Sequence, residues 1–157
     1  MAMDRESFFA ALKKSHKAVF RVAEWIHRGS ANVRSRTVII PASNGDMVDA
    51  CDLMVWDEEQ SKVMKLEVKH KLDTKFTCAD DYPFKTIIVS NSKTIERNWG
   101  KIESYIIVND KITYAAIIPF TTHEKWKKFQ IHAKNTDRVE EFYLCPKECA
   151  TFVKISE

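Results

Sequence analysis

The sequence predicts an α/β fold, a single domain over residues 1–157 with a mixed central β-sheet, an N-terminal helix on one face and short helices near the ends. Three observations lead there. Apolar residues from Phe8 to Ile26 recur at helical spacing. Most later segments are short, β-branched and alternating, which suits strands. Asn44-Gly45 and Asn109-Asp110-Lys111 are hairpin signals, whereas Asp73 to Lys85 is just long enough for a parallel crossover.

In chain order, Asp4 to about Arg28 reads as a helix, because Phe8, Phe9, Leu12, Val19, Phe20, Ala23 and Ile26 form one apolar stripe. Asp4 is positioned to cap it and Gly29 to stop it. Thr37 to Ile40 is a short β-branched strand, and Pro41 to Asp46 a turn built on Asn44-Gly45. Val48 to Trp56 is the next strand, followed by the polar turn Asp57-Glu58-Glu59-Gln60. Ser61 to Leu72 alternates, with Val63, Leu66 and Val68 set among Lys65, Glu67, Lys69 and Lys71; Met64 interrupts the pattern and leaves room for a bulge. Thr86 to Ser90 is a compact apolar strand, positioned to run parallel to the Glu67 strand. Ser92 to Gly100 suits a short helix, and Ser104 to Val108 with Ile112 to Ile118 a hairpin. Thr121 or Thr122 can cap a helix through Phe129, and Glu141 to Cys145 and Thr151 to Ile155 read as the last strands. No repeat, low-complexity tract or linker divides the chain.

At 157 residues, 45% apolar and 30% charged, the composition is that of a soluble globular domain large enough for a real core. No apolar run reaches bilayer length, and Met1 to Ser7 carries no signal-peptide stretch, so a cytoplasmic location is expected, the host cytoplasm if the protein is viral. The net charge of +3 permits a nucleic-acid partner without demanding one. Its placement is more telling. Lys62, Lys65, Lys69, His70, Lys71 and Lys75 crowd one region, with smaller groups at Lys125, Lys127, Lys128 and at Arg21, Arg28, Arg34, Arg36. Such groups bind phosphate in a salt-dependent way, or are simply a solvated surface. Cys51, Cys78, Cys145 and Cys149 form no Cys-x-x-Cys pair; reduced thiols are expected, with a zinc site at Cys145 and Cys149 the minor alternative.

The chemistry concentrates at Glu67-Val68-Lys69. Alternation puts Glu67 and Lys69 on one face of their strand. Pairing with the strand that bears Asp52 would bring two carboxylates and an amine together. Mg²⁺ or Mn²⁺ takes oxygen ligands and keeps several waters, so two carboxylates suffice to hold it. Such a set can cut a phosphodiester, because a bound cation neutralises phosphate and activates water. Asp46 and Asp49 are alternatives to Asp52, although Asp49 falls at an odd spacing from it and should face the other way. A Glu-x-Lys by itself equally describes an amphipathic strand with one wet face.

The order matters more than the tripeptide. A helix, a strand, an Asn-Gly hairpin, a strand bearing Asp52-Leu53-Met54-Val55, a turn and a strand bearing Lys65-Leu66-Glu67-Val68-Lys69-His70 resembles the PD-(D/E)xK nuclease superfamily. Asp81-Tyr82-Pro83-Phe84, Ile87-Ile88-Val89-Ser90, Tyr105 to Asn109 and Phe142 to Pro146 are further similar to small, Holliday-junction-resolvase-like nuclease proteins of tailed bacteriophages. That likeness spans residues 35–155 loosely. Two points depart from the superfamily's pattern: Cys51 and not proline precedes the aspartate, a proline that is often absent, and the helix usual after the Glu-x-Lys strand is reduced.

The resemblance implies a restriction-endonuclease-like core and a Mg²⁺- or Mn²⁺-dependent DNA endonuclease, with a homodimer acting on branched DNA as one form. Asp52 and Glu67 would bind the metal, Val68 would lend its backbone carbonyl and Lys69 would position the water. Glu24 on the first helix would join the metal shell, or else be a solvent-facing helix charge. Lys65, His70, Lys71 and Lys75 are the expected nucleic-acid contacts, with His132 a weaker one. Most aromatics, Tyr82, Phe84, Tyr105, Tyr114, Phe142 and Tyr143, are expected in the core; Trp126 is expected in the core or on plain surface, with stacking on a base the alternative. The rival readings are a non-catalytic nucleic-acid-binding protein and a phage scaffold or inhibitor that keeps the fold.

Overall fold

Leu66 and Val68 leave their strand on one side and Glu67 and Lys69 on the other, and the rest of the chain is layered around that division. A computed structural model describes residues 5–29, 36–40, 51–132 and 138–157, with 5–15 as backbone alone. The expected Asn44-Gly45 hairpin, the Asp4 cap, Arg34, Asp46 and Asp49 lie outside the described residues.

Helix α1 (Arg5–Arg28) ends where Gly29 takes a φ of +66° and its N–H bonds to the Trp25 carbonyl at 3.2 Å. A glycine adopts that left-handed conformation without the steric cost a Cβ brings. Strands β1 (Val38–Ile39), β2 (Leu53–Asp57) and β3 (Lys62–His70) follow as an antiparallel meander, with Val38 opposite Val55 and Leu53 opposite Leu66. The turn between β2 and β3 is held by Asp57, whose Oδ1 accepts from the Glu59 and Gln60 N–H groups at 3.0 and 3.3 Å. The β2–β3 register is unbroken from Leu53 to Asp57, so the bulge expected at Met64 does not form. Met64 is in phase with Leu66 and Val68; Val63 is the residue out of step, and it is 47% exposed.

Strand β4 (Thr86–Asn91) leads into helix α2 (Ser92–Arg97), capped by Asn91, whose side chain accepts from the Lys93 N–H at 2.9 Å. Strands β5 (Ser104–Val108) and β6 (Tyr114–Pro119) form the expected hairpin. Its turn is organised by Asn109, whose Oδ1 accepts from the Thr113 and Tyr114 N–H groups at 2.8 and 3.2 Å. A 3₁₀ segment (Phe120–Lys125), β7 (Lys127–His132), β8 (Val139–Pro146), a 3₁₀ turn (Lys147–Cys149) and β9 (Thr151–Lys154) complete the described order.

Two sheets result: a six-stranded mixed sheet in the order β1-β2-β3-β5-β6-β9, and a three-stranded sheet in the order β4-β8-β7. Helix α1 covers one face of the larger sheet, where Ala18, Val22, Leu53, Val55, Leu66, Val68 and Ile106 form one core. The smaller sheet covers the other face, where Ile87, Val89, Ile95, Tyr105, Ile107, Ile118, Trp126 and Cys145 form the second. The chain is thus one α/β domain of three layers around a mixed sheet, as the alternation of elements predicts.

Three further expectations are corrected. The parallel neighbour of β3 is β5, with Leu66 opposite Ser104, whereas Thr86–Asn91 pairs antiparallel with β8 in the second sheet. The reason is burial. Tyr105, Ile106, Ile107 and Val108 are all buried, as an interior strand covered on both faces requires, whereas β4 buries Ile87 and Val89 and leaves Ile88 partly open. The helix expected through Phe129 stops at Lys125. Trp126 turns into the second core, donating from Nε1 to the Thr122 hydroxyl at 3.0 Å, and the chain from Lys127 onward gains a ladder with β8. Phe84 is also not core: it is 62% exposed.

Candidate metal-binding site

The β2–β3 register runs Leu53 to Leu66, and one further step along it sets Asp52 opposite Glu67. The ladder already reaches that far, since the Asp52 N–H bonds to the Leu66 carbonyl at 3.1 Å. At Asp52 the chain bends and the strand ends. The next N–H of β3 facing that side belongs to Val68, and the Asp52 side chain takes it: Oδ2 accepts from Val68 N–H at 2.8 Å. A carboxylate thus stands where a backbone carbonyl would continue the ladder. Within a strand a residue's N–H and C=O point to the same edge, so the Val68 carbonyl opens on the Asp52 side too.

Glu67 is partly buried beside this group, and its acid is pushed up to about 8. Loss of water is the largest cause. The Asp52 charge is the second, with a proton-sharing contact between the carboxyls, and Lys69 opposes both. Two carboxylates facing each other in a half-dry site repel, and a divalent cation between them removes that repulsion. Asp52, Glu67 and the Val68 carbonyl are hard oxygen donors, and they fit Mg²⁺ or Mn²⁺ with the remaining positions left to water. Among the described residues no group of three or more His, Cys, Asp and Glu side chains forms, so any protein shell here rests on two carboxylates and a carbonyl.

Lys69 follows Glu67 on the same face, and it is partly buried. Lys65 precedes it on that face and acts on Cys51, where burial raises the thiol's pKa and the Lys65 charge draws it back. Lys71 continues the row: its N–H bonds to the Val108 carbonyl at 2.9 Å, so the β3–β5 pairing persists past His70. Burial first, and then the Lys69 charge, lowers the Lys71 amine from its ordinary value. Lys75 is exposed in the loop after β3.

Two expected site residues are not brought here. Glu24 lies on α1, which packs through Ala18, Val19, Val22 and Ala23 on the opposite face of the sheet. Its side chain is 54% exposed and lies 3.9 Å from Arg21, so it is a solvent-facing helix charge. His70 falls on the Leu66–Val68 side, away from Glu67 and Lys69. Its Nε2 lies 3.1 Å from the Asp110 carbonyl, tying the end of β3 to the β5–β6 turn, and its buried Nδ1 has no partner among the described residues.

One neighbour was not anticipated. Tyr105 stands opposite Glu67 across the parallel pairing, and its phenol is pushed up to about 12 by burial and then by the Glu67 charge. Only the β3–β5 register discloses it. At the far end, Cys145 is buried and its thiol is raised to about 12, chiefly by loss of water, while His123 stacks on Phe120 with its Nδ1 2.9 Å from the Phe120 carbonyl. Comparison of the chain with family models, with curated proteins and with solved structures finds no match.

Proposed function

We propose that the protein is a metal-dependent DNA endonuclease of the PD-(D/E)xK type, hydrolysing phosphodiester bonds with Asp52, Glu67 and Lys69. The observation that carries this reading is the opposition of Asp52 and Glu67 across the β2–β3 ladder, with Lys69 on the same face. The order α1-β1-β2-β3 followed by a strand parallel to β3 supports it.

Asp52 and Glu67 would hold Mg²⁺ or Mn²⁺ with help from the Val68 carbonyl. When bound, the cation supplies the positive charge that polarises phosphate and activates water. Asp52 is fixed by its bond to Val68 N–H, so one oxygen is spoken for and the other is free to face a ligand. Glu67 would hold the cation as a carboxylate, without the proton that burial and Asp52 favour in its absence. Lys69 presents its ammonium to a phosphate oxygen and to the attacking water, setting both in line. Lys65 and Lys71 extend the positive face along β3 and draw in the backbone of a nucleic acid. Cutting both strands, or a branched junction, requires two such sites, which a two-fold homodimer supplies.

The test is incubation of the purified protein with linear, single-stranded and branched DNA in Mg²⁺ or Mn²⁺, beside EDTA and Lys69→Ala controls. Metal-dependent cleavage missing from the variant supports the reading. Binding without cleavage in every metal overturns it in favour of a non-catalytic binding protein.

A further inference from the structure

A cavity of about 550 Å³ opens just past the end of β3, where Lys71, Asp73 and Thr74 line it. Its floor is the outer face of the smaller sheet, where Ile88 pairs with Leu144 and Phe129 lies one strand further out. Tyr82 and Phe84 form a wall, and Lys71 stands at the rim with Asp73. The volume is that of a small-ligand site.

The lining is unusual for a surface with no partner. Phe84 is 62% and Phe129 56% exposed, so two aromatic rings flank the cavity with much of their surface in water. Tyr82 meets Phe84 nearly edge-on, with centroids 6.3 Å apart at 70°, which leaves ring surface of Phe84 open. Lys127 shares the Phe129 side of β7 by strand alternation. Lys69 and Lys71 share the Glu67 face of their strand by alternation, and Lys71 is the member of that row that lines the cavity.

Open aromatic faces beside paired cations describe one ligand well: a flat ring that carries its own phosphate. Asp73 offsets part of the Lys71 charge; an uncharged apolar molecule would make no use of what remains, and acidic side chains alone would leave the rings bare. We propose that the cavity receives an unpaired nucleobase of the strand held at the Asp52–Glu67 site, stacked against Phe84 and Phe129, with its phosphate between Lys69 and Lys71. This rests on the nuclease reading of that site, and it narrows the substrate to DNA with an unpaired or splayed base, as at a junction, flap or single strand. Aromatic stacking tolerates any base, so the cavity selects for strand state and not for sequence.

The experiment uses oligonucleotides carrying 2-aminopurine, either unpaired or within a full duplex, titrated with the protein in EDTA. Phe84→Ala and Phe129→Ala are the test variants, since both rings are exposed and their loss leaves the cores intact. Fluorescence of the unpaired probe should be quenched on binding, and each variant should weaken its binding about 5- to 100-fold, leaving duplex binding unchanged. Unchanged fluorescence, or variants that bind the unpaired probe as tightly as the wild type, overturns the base site. Self-association that Phe129→Ala abolishes also overturns it, because a second copy then covers the cavity. Cleavage with no dependence on Phe84 or Phe129 keeps the nuclease and removes the base site; Phe129-dependent quenching with no cleavage in any metal does the reverse. No binding of either probe overturns both.

Discussion

The Asp52 carboxylate accepts the N–H of Val68 at 2.8 Å, completing with a side chain a ladder that the backbone leaves unfinished. Asp52 is thereby part of the sheet and part of the candidate site at once, and the two roles are separable. Asp52→Asn keeps an oxygen acceptor and should hold the fold to within about 1 kcal/mol while losing metal binding. Asp52→Ala leaves a half-buried N–H without its partner and should lose metal binding and about 1–3 kcal/mol of stability. Urea denaturation of the two variants beside metal titration separates the roles. Equal stability of both variants would remove the structural one.

Glu67 makes stability depend on pH in a direction opposite to that of an ion-paired carboxylate. Its folded acid sits at about 8 against an ordinary value of 4.5, so the folded protein holds a proton that the unfolded chain gives up. The contribution of this proton is fully present below about 4.5 and is lost as pH rises toward 8, by up to about 1.4 kcal/mol per pH unit for one proton. Glu67→Gln should flatten that slope. Divalent metal should bind more tightly as pH rises through the same window and release close to one proton, readable by calorimetry in buffers of different ionisation enthalpy.

Lys69 lies on the site face without a place among the oxygen donors. Lys69→Met should therefore preserve metal affinity and lower cleavage by about 100- to 10,000-fold, the range a positioned proton- or charge-handling group contributes. A loss of metal affinity equal to the loss in rate would instead make the lysine a prop for the carboxylates.

His70 should behave unlike its neighbours. Because it faces away from Glu67 and contacts the Asp110 carbonyl, His70→Ala is expected to cost about 1 kcal/mol in stability and leave DNA affinity unchanged. Lys71→Ala should weaken DNA binding and reduce its dependence on salt by about one ion. Binding isotherms at several salt concentrations test the pair, and a shallower salt slope in His70→Ala would reverse the assignment.

Local pattern carried much of this molecule. Helical spacing located α1 and Gly29 its end, because backbone preference acts within a few residues; of the apolar stripe, Val19 and Ala23 are buried, whereas Phe20 is 59% exposed and Ala18 and Val22 take its place on the sheet. The period of two put Glu67 and Lys69 on one face before any partner strand was known. Asn109 marked its hairpin for a similar reason: a side chain that bonds the backbone four and five residues on acts wherever the chain goes.

Tertiary structure decided what local pattern leaves open. Thr86–Asn91 and Ser104–Val108 are both short and apolar, and their own residues do not say which lies beside β3; burial on both faces selects the second. Helical spacing left Glu24 facing metal or solvent, and the docking of Ala18 and Val22 on the sheet turned it to solvent. The meeting of Asp52 with Val68, the approach of Tyr105 to Glu67 and the cavity formed by the segment after β3 with the outer face of the smaller sheet join segments distant along the chain. Such contacts depend on how packed layers share their surfaces, a property of the whole chain that no single segment carries.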